Sequence, residues 1–304
     1  MTAAVGKEVL GKVGVGGDFC CARTVDVMTS EVRSDPLTGV RSVHPDMSAK
    51  PFPRAVRHLP VVPGACALCR LASDQLNEKS QILDDGAWRD VSLDDEHVRT
   101  TSNRWSPVER AGRADLIVVK RHVNGIEELS RLELASVLSQ MYEVADRFHQ
   151  GFAKTLRTIS VGQSVGSSQP HLHAQVVSTS IESASAWEFN LSKEALAKDA
   201  EAAESAGLVI SREGALIYAP YAPSYAGELR IVAKDFPALV GGVERLFGAV
   251  ATLIGPLDYR VVLHRGADLV AQVVLQFTTP GLHADVLGLT IIPVSPQRLA
   301  EQLR

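Results

Sequence analysis

Apolar and polar residues alternate along the chain in patterns that predict strands and a long helix near its middle. The run DLIVVK at residues 115–120 predicts a buried strand. Apolar side chains then recur at helical spacing across residues 127–152, which predicts a long helix. Residues 155–161 and 171–178 predict two further strands. The predicted order is therefore strand, helix, strand, strand.

The same order recurs later in the chain. It consists of a strand, a helix and two strands at residues 228–233, 238–254, 258–264 and 269–277. This repeated pattern predicts an internal duplication, with the alanine-rich, acidic segment 184–207 as a connecting helix. Residues 1–63 are rich in Gly, Pro, Ser and Asp, and we expect an irregular arm with up to two short strands. The predicted parts are thus an arm at 1–63, a first half at 64–207 and a second half at 208–304.

Residues 167–177 hold the pattern that bears most directly on function. Two histidines and a glutamine alternate there with apolar residues, and side chains two residues apart share one face of a strand. His171, His173 and Gln175 should therefore point together into a site. The apolar residues of the other face should enter the core, and these are Leu172, Ala174 and Val176.

His173 is the candidate nucleophile of that site. Imidazole has an unperturbed pKa near ~6.5, so at neutral pH it is largely unprotonated and can attack phosphorus to form a phosphoramidate. Gln175 offers a neutral amide donor to a phosphate oxygen. The glycine and serine run at 162–168 could cradle a phosphate with its N–H groups and hydroxyls, or it could be a plain turn.

Cys66 and Cys69 have the spacing of a metal half-site, because two intervening residues let both thiolates reach one ion from a single turn. Two incidental cysteines in a loop are the alternative. Among nine histidines, His122 and His171 are the best candidates to complete a tetrahedral zinc site, although His122 could also be an ordinary surface residue. Four protein ligands leave no open position, so we expect a structural zinc and not a Lewis acid.

Composition narrows the class of protein. The chain has 304 residues, of which 45% are hydrophobic and 22% charged, as is ordinary for a globular protein. Its net charge is -4, and it has no run of basic residues that could bind along the phosphate backbone of a nucleic acid. We therefore expect no nucleic-acid partner. No apolar run approaches the ~18 residues of a membrane helix. Residues 1–17 lack the apolar core of a secretory signal, so a cytoplasmic location is expected.

Several segments together resemble one known family. They are residues 33–39 (RSDPLTG), the CxxC entry at 63–69, 103–107 (NRWSP), 121–130 around His122, and 166–175 (GSSQPHLHAQ), with weaker echoes at 219–222 and 295–300. In these segments the chain resembles the galactose-1-phosphate uridylyltransferase branch of the histidine triad superfamily. The likeness covers most of the chain. It implies an α+β fold, in which two histidine-triad-like halves form a mainly antiparallel sheet flanked by helices.

The resemblance also implies residue roles. His171 would bind zinc, His173 would become nucleotidylated, and Gln175 would steady the intermediate. The remaining matched residues would contact the nucleotide and its phosphates, and these are Asn103, Arg104, Ser160, Gly166, Ser167 and Ser168. Ser160 stands where the family has an asparagine. One structural Zn²⁺ per chain, a homodimer, and a nucleotide donor with a phosphorylated acceptor are implied as well.

The chain also departs from the family. Met47 and Lys50 stand where the family's arm often carries arginines. Val274 and Gln276 occupy the places of second-site metal ligands, with only His264 retained, so we expect no iron site. Residues 280–296 are shorter than their counterpart and lack recognisable hexose-binding residues, which argues against galactose 1-phosphate as a substrate.

Three functions follow from these observations, in order of preference. The first is a nucleotidyltransferase that moves a nucleoside monophosphate, through a nucleotidyl-histidine intermediate, between a nucleotide donor and a phosphorylated acceptor such as a sugar 1-phosphate. The second is a phosphorylase of a dinucleoside polyphosphate or adenylyl donor. The third, a non-catalytic nucleotide-binding module, is disfavoured because a binding module has no need of a nucleophile beside an amide donor.

Overall fold

The secondary structure begins with small elements that precede the main sheet. The computed structural model describes residues 30–45, 56–59, 66–72, 82–84, 87–89, 93–103, 112–180, 191–277, 290–291 and 294–304. Its first elements are β1 (Ser30–Ser34), β2 (Arg41–Pro45), the short helix α1 (Ala67–Ala72), β3 (Ile82–Asp84) and β4 (Ala87–Arg89). β1 and β2 confirm the two short strands expected in the arm.

Between residues 98 and 179, the described part of the first half forms four strands of the main sheet and one long helix. In chain order they are β5 (Val98–Ser102), β6 (Gly112–Val119), α2 (Arg131–Phe148), β7 (Lys154–Val161) and β8 (His173–Thr179). A 3-10 turn at Ile126–Glu128 precedes α2, and another at Gln163–Val165 lies between β7 and β8. Helix α3 (Lys193–Ser205) follows and lies within the predicted connecting helix.

The second half repeats this order with one strand more. Its elements are β9 (Val209–Ser211), β10 (Leu216–Tyr218), β11 (Glu228–Ala233), α4 (Phe236–Ala249), β12 (Asp258–Arg265) and β13 (Leu269–Gln276). Helix α4 continues into a π-helical turn at Val250–Ile254. The chain ends with β14 (Thr290–Ile291), which pairs with β2, and α5 (Pro296–Gln302).

A single nine-stranded sheet joins the two halves. Its strand order is β5-β6-β8-β7-β12-β13-β11-β10-β9, and the neighbours in it pair antiparallel. The halves meet where β7 pairs with β12, so the order in one half mirrors the order in the other. This topology confirms the expected α+β fold of two halves. The limits of 1–63, 64–207 and 208–304 stay predictions.

Local capping explains where α2 begins. The helix predicted from residue 127 begins only at Arg131, since Ser130 accepts a hydrogen bond from the Glu133 N–H and the Glu133 carboxylate accepts one from the Ser130 N–H. This reciprocal pair is a capping box, which fixes a helix start. The strand predicted from His171 also begins later than expected, at His173.

One face of the sheet is covered by α2 and α4 and forms the main core. Leu172, Ala174 and Val176 lie in that core, as the alternation predicts. The expectation that no apolar run approaches membrane length was wrong, since the segment Phe236–Ile254 is long and apolar enough to span a membrane by length and composition alone. Its residues Val243 and Phe247 are buried in the same core.

The described part of the arm is fastened to the second half. Asp35 closes the turn between β1 and β2 by accepting from the Leu37 N–H, and it also accepts from Arg230 at 2.6 Å and Ser224 at 2.7 Å. Arg230 is fully buried and bridges Asp199 and Glu228 as well. Burial raises the pKa of both of these carboxyl groups, although the Arg230 guanidinium opposes that shift.

Candidate active site and metal site

The face of the sheet opposite α2 and α4 carries His173 and Gln175. His173 is 6% exposed, and its Nδ1–H donates to the His171 carbonyl at 2.8 Å. That bond leaves the Nε2 lone pair free of the proton, and the Gln175 side-chain nitrogen lies 3.5 Å from Nε2. Burial lowers the pKa of His173, so the ring is neutral at physiological pH. A neutral imidazole with a fixed tautomer is a competent nucleophile.

Cys66, Cys69, His122 and His171 form one cluster, as predicted. Their ligand atoms lie within 4.8 Å of one another. The Cys69 sulfur is 3.1 Å from His122 Nδ1 and 3.3 Å from His171 Nδ1, and the Cys66 sulfur is 3.5 Å from His171 Nδ1. Zinc bonds of about 2.3 Å to sulfur and about 2.0 Å to nitrogen imply ligand separations of roughly 3.5 Å in a tetrahedron. The four residues therefore fit a tetrahedral metal ion.

A hydrogen bond behind His171 supports this fit. Its Nε2–H donates to the Val119 carbonyl at 2.7 Å, which turns Nδ1 toward the sulfur atoms. Metal-binding histidines almost always donate their other N–H in this manner, because the bond fixes tautomer and orientation. Burial lowers the pKa of His171 to about 4, so the ring is neutral, as a ligand must be.

Packing of α1 explains why the cysteines lie here. Leu68 and Ala72 are buried against Val118 of β6. Val118 is the register partner of His173 in the neighbouring strand. The CxxC turn is thereby held on the strand next to the nucleophile, while the His171 carbonyl links the metal cluster to the His173 ring.

A residue from the second half shapes the loop that leads to this site. Asp258 accepts from the Ser164 N–H at 3.0 Å, from the Ser164 hydroxyl at 2.5 Å, and from the His58 N–H at 2.7 Å. Gly162 lies against the same carboxylate with φ of +98°, a conformation that favours glycine. The glycine and serine run is therefore an ordered loop that Asp258 of the second half holds in place.

We expect Gly162→Ala to destabilise the protein more than an alanine substitution at a glycine where only the positive φ is unfavourable. A Cβ at this position would lie 1.9 Å from Asp258 Oδ1, in addition to the positive φ. The backbone penalty is about 1–3 kcal/mol, and the clash adds to it. Urea denaturation measures the loss. Gly151→Ala is the matched control, since Gly151 has φ of +86° and nothing within 4 Å of its added Cβ. Equal losses in both variants would contradict the proposed packing.

The other predicted nucleotide contacts are distributed around His173. Ser160 lies on β7 one residue beyond the pair Ile159↔Ala174, which places it opposite His173. Gly166 and Ser168 are exposed on the loop. Ser167 is buried, and its hydroxyl donates to the Gln169 carbonyl at 2.9 Å. These placements bring the loop and the nucleophile together, while the roles of the four residues stay predictions.

Asn103 lies farther away, and Arg104 is outside the described residues. The Asn103 N–H donates to the Ala114 carbonyl beyond the end of β5, and Ala114 pairs with Val177. Val177 is four residues along β8 from His173, which corresponds to roughly 13 Å. Asn103 therefore lies on the β5 side of the nucleophile, and its contact with a nucleotide stays a prediction.

Two residues of β12 were missed by reasoning from the sequence. Asp258 and Arg260 alternate with Tyr259 and Val261, so the strand pattern could have placed them on one face. Only the pairing of β12 with β7 shows that this face is the one that carries His173. Two grooves of about 380 and 480 Å³ lie instead beside α2, on the opposite side of the sheet.

The described residues thus form a duplicated antiparallel sheet with a Cys₂His₂ cluster beside a buried histidine. No protein-family model matches the chain, and no curated protein matches it in sequence. Solved structures do match. A GalT-like protein from Arabidopsis thaliana has 18% identity and a TM-score of 0.63, with 91% of this chain and 98% of that chain covered.

Two further solved structures have a similar fold. An ADP-glucose phosphorylase from Arabidopsis thaliana, with bound ADP-glucose, has 17% identity and a TM-score of 0.66, with 91% of this chain and 99% of that chain covered. A uridylyltransferase has 15% identity and a TM-score of 0.57, with coverage of 90% and 96%. The chain therefore has the fold shared by these GalT-like, ADP-glucose phosphorylase and uridylyltransferase structures, which confirms the α+β fold that the resemblance of its motifs implies.

Proposed function

We propose that the protein is a nucleotidyltransferase that carries a nucleoside monophosphate on His173. The observation that carries this proposal is the state of the His173 ring. It is buried and neutral, its Nδ1–H is held by the His171 carbonyl, and its Nε2 lies beside the Gln175 amide. The fold shared with a uridylyltransferase and an ADP-glucose phosphorylase is consistent with it.

In the first step, His173 Nε2 attacks the α-phosphorus of a nucleotide donor. The Nε2–P bond forms, the P–O bond to the leaving phosphate breaks, and the bond's electron pair stays on that leaving oxygen. The Nδ1 proton remains on the ring, where the His171 carbonyl stabilises the positive charge that the ring acquires. The Gln175 amide is placed to donate to a non-bridging oxygen of the transferred group.

In the second step, an oxygen of a phosphorylated acceptor attacks the same phosphorus. The Nε2–P bond breaks and returns its electron pair to Nε2, which restores the neutral ring. No proton needs to move when the acceptor is a phosphate anion. This agrees with a site whose described polar groups are a histidine, an amide and hydroxyls, without a carboxylate beside Nε2.

We propose that Cys66, Cys69, His122 and His171 hold one structural Zn²⁺. With four protein ligands the ion has no open position, so it would supply rigidity and no Lewis acid. His171 contributes its ring to the cluster and its carbonyl to His173, and thus it connects metal binding to the orientation of the nucleophile. The homodimer and the cytoplasmic location stay predictions.

The substrate class that we propose is a nucleotide donor together with a phosphorylated acceptor. A phosphorylase, in which inorganic phosphate is the acceptor, is the second candidate. The similar fold of an ADP-glucose phosphorylase favours it.

A panel of donors tests the proposal. Purified protein is incubated with α-³²P-labelled UDP-glucose, ADP-glucose, GDP-glucose or diadenosine tetraphosphate, and bound label is measured after denaturation. We expect one donor to give an acid-labile, alkali-stable label on His173. Release by a sugar 1-phosphate other than the donor's own leaving group would identify the transferase, and release by inorganic phosphate the phosphorylase, since the donor's own leaving group only reverses the first step. Binding of every donor without an adduct would overturn the proposal in favour of a binding module.

A further inference from the structure

Arg260 lies on the same face of the sheet as His173, two strands away. It pairs with Ser160 of β7, and Ser160 lies opposite His173. Neighbouring strands are about 4.8 Å apart, so the Arg260 and His173 backbones are separated by roughly 10 Å with only Ser160 between them. The second half thus contributes a cation to the edge of the first half's site.

The charge of Arg260 is available to an anion. Its side chain is exposed, and its Nη2 donates to the Val165 carbonyl at 2.8 Å in the loop before Gly166. Within the described part of the chain it has no carboxylate partner. Nearby arginines differ, since Arg57 pairs with Glu127 and Arg265 pairs with Asp146. Among the described residues, the bond to Val165 orients the guanidinium, and no other hydrogen bond occupies its remaining N–H groups.

The strand order shows on which side of His173 Arg260 lies. Asn103 lies on the β5 side of His173, and Arg260 lies on the β12 side. A donor with its α-phosphorus over His173 and its nucleoside toward Asn103 would extend its leaving phosphate across Ser160 toward Arg260. A guanidinium is suited to that group, because it binds phosphate oxygens through two parallel N–H bonds.

We propose that Arg260 binds the phosphate of the leaving group, and in the return step the phosphate of the acceptor. This inference rests on the proposed nucleotidyl transfer and adds a residue to it. When the α-phosphorus to oxygen bond breaks, the electron pair stays on the leaving phosphate, and the Arg260 guanidinium stabilises the charge that grows there. The transferred phosphoryl group remains with His173 and Gln175.

A comparison of two donors tests this role. The first is the nucleotide sugar, ADP-glucose or UDP-glucose, that labels the wild-type protein, and its leaving group is a phosphate. The second is the 5′-phosphorimidazolide of the same nucleoside, whose leaving group is imidazole. We expect Arg260→Gln to slow labelling of His173 by the nucleotide sugar about 10- to 100-fold. Labelling by the phosphorimidazolide should change less than about threefold, because no leaving phosphate is present. Arg260→Lys should recover part of the loss.

Arg265→Gln is the matched control. Arg265 is another exposed arginine of β12, but it packs over Tyr142 and pairs with Asp146 on the α2 side. We expect it to label normally with both donors. An equal loss of both reactions in Arg260→Gln would assign Arg260 to structure or to the transferred group and overturn the inference. Unchanged labelling by both donors would overturn it as well. Failure of the wild-type protein to label with either donor would instead reject the proposed function.

Discussion

His173→Ala should abolish nucleotidyl transfer and leave no covalent label on the protein. The substitution removes the only atom that forms the bond to phosphorus, and the remaining loop and amide groups cannot store the transferred group. We expect the rate to fall by about 10⁴-fold or more. The measurement is single-turnover labelling with the α-³²P donor, followed by release of product on addition of the acceptor.

The control for this variant is His97→Ala. His97 is partly buried beside α2, on the opposite side of the sheet from His173. It should keep full labelling, and both variants should retain the circular dichroism spectrum of the wild type. His173→Gln is a second variant to test, because its side chain fills more of the space left by the imidazole ring. A label that persists in a folded His173 variant would show that another residue carries the nucleotide.

Cys66→Ser combined with Cys69→Ser should release the metal and strongly destabilise the protein. Wild-type protein should contain one zinc per chain, and the double variant less than about 0.1, since a hydroxyl does not replace a thiolate as a zinc ligand. Structural zinc in small peptides contributes about 10–16 kcal/mol of apparent binding free energy, so part of the folding free energy should be lost with it. A loss of 3–5 kcal/mol would lower Tm by about 10 °C. Elemental analysis and thermal unfolding measure the two effects.

The same variant should lose transfer activity, although neither cysteine touches the nucleotide in the proposed reaction. Without the cluster, His171 is no longer held by the sulfur atoms, and its carbonyl no longer fixes the His173 Nδ1–H. Cys20→Ser with Cys21→Ser is the matched control, because it removes two thiols outside the CxxC and should keep zinc and activity. Normal zinc content in Cys66→Ser with Cys69→Ser would refute the assigned ligands.

Periodicity predicted most of the elements correctly, because residues two apart must share a strand face and residues three or four apart a helix face. The α2 boundary shows the limit of this reasoning. Apolar spacing extends the helix over 127–152, but the capping box at Ser130 and Glu133 starts it at Arg131. The start of β8 differs for a nonlocal reason. His171 precedes the strand, and its Nε2 bonds to Val119, which is 52 residues away in the sequence.

The arm illustrates the same limit. The turn DPLTG was predicted at residues 35–39, and Asp35 does close it. Nothing in the local pattern indicated that the Asp35 carboxylate would be buried against Arg230, because that contact spans 195 residues. A segment that composition described as irregular is therefore anchored, in its described part, by a fully buried ion-pair cluster.

The sequence by itself determined the duplicated α+β order, the Cys₂His₂ set, and the alternation that places His173 and Gln175 on one face. Each of these follows from residue types and from their positions along the chain. Only the tertiary structure decided that β7 pairs with β12, and therefore that Asp258 shapes the loop and Arg260 faces the nucleophile. Strand pairing between distant segments is set by the packing of the whole sheet, and no local pattern contains it.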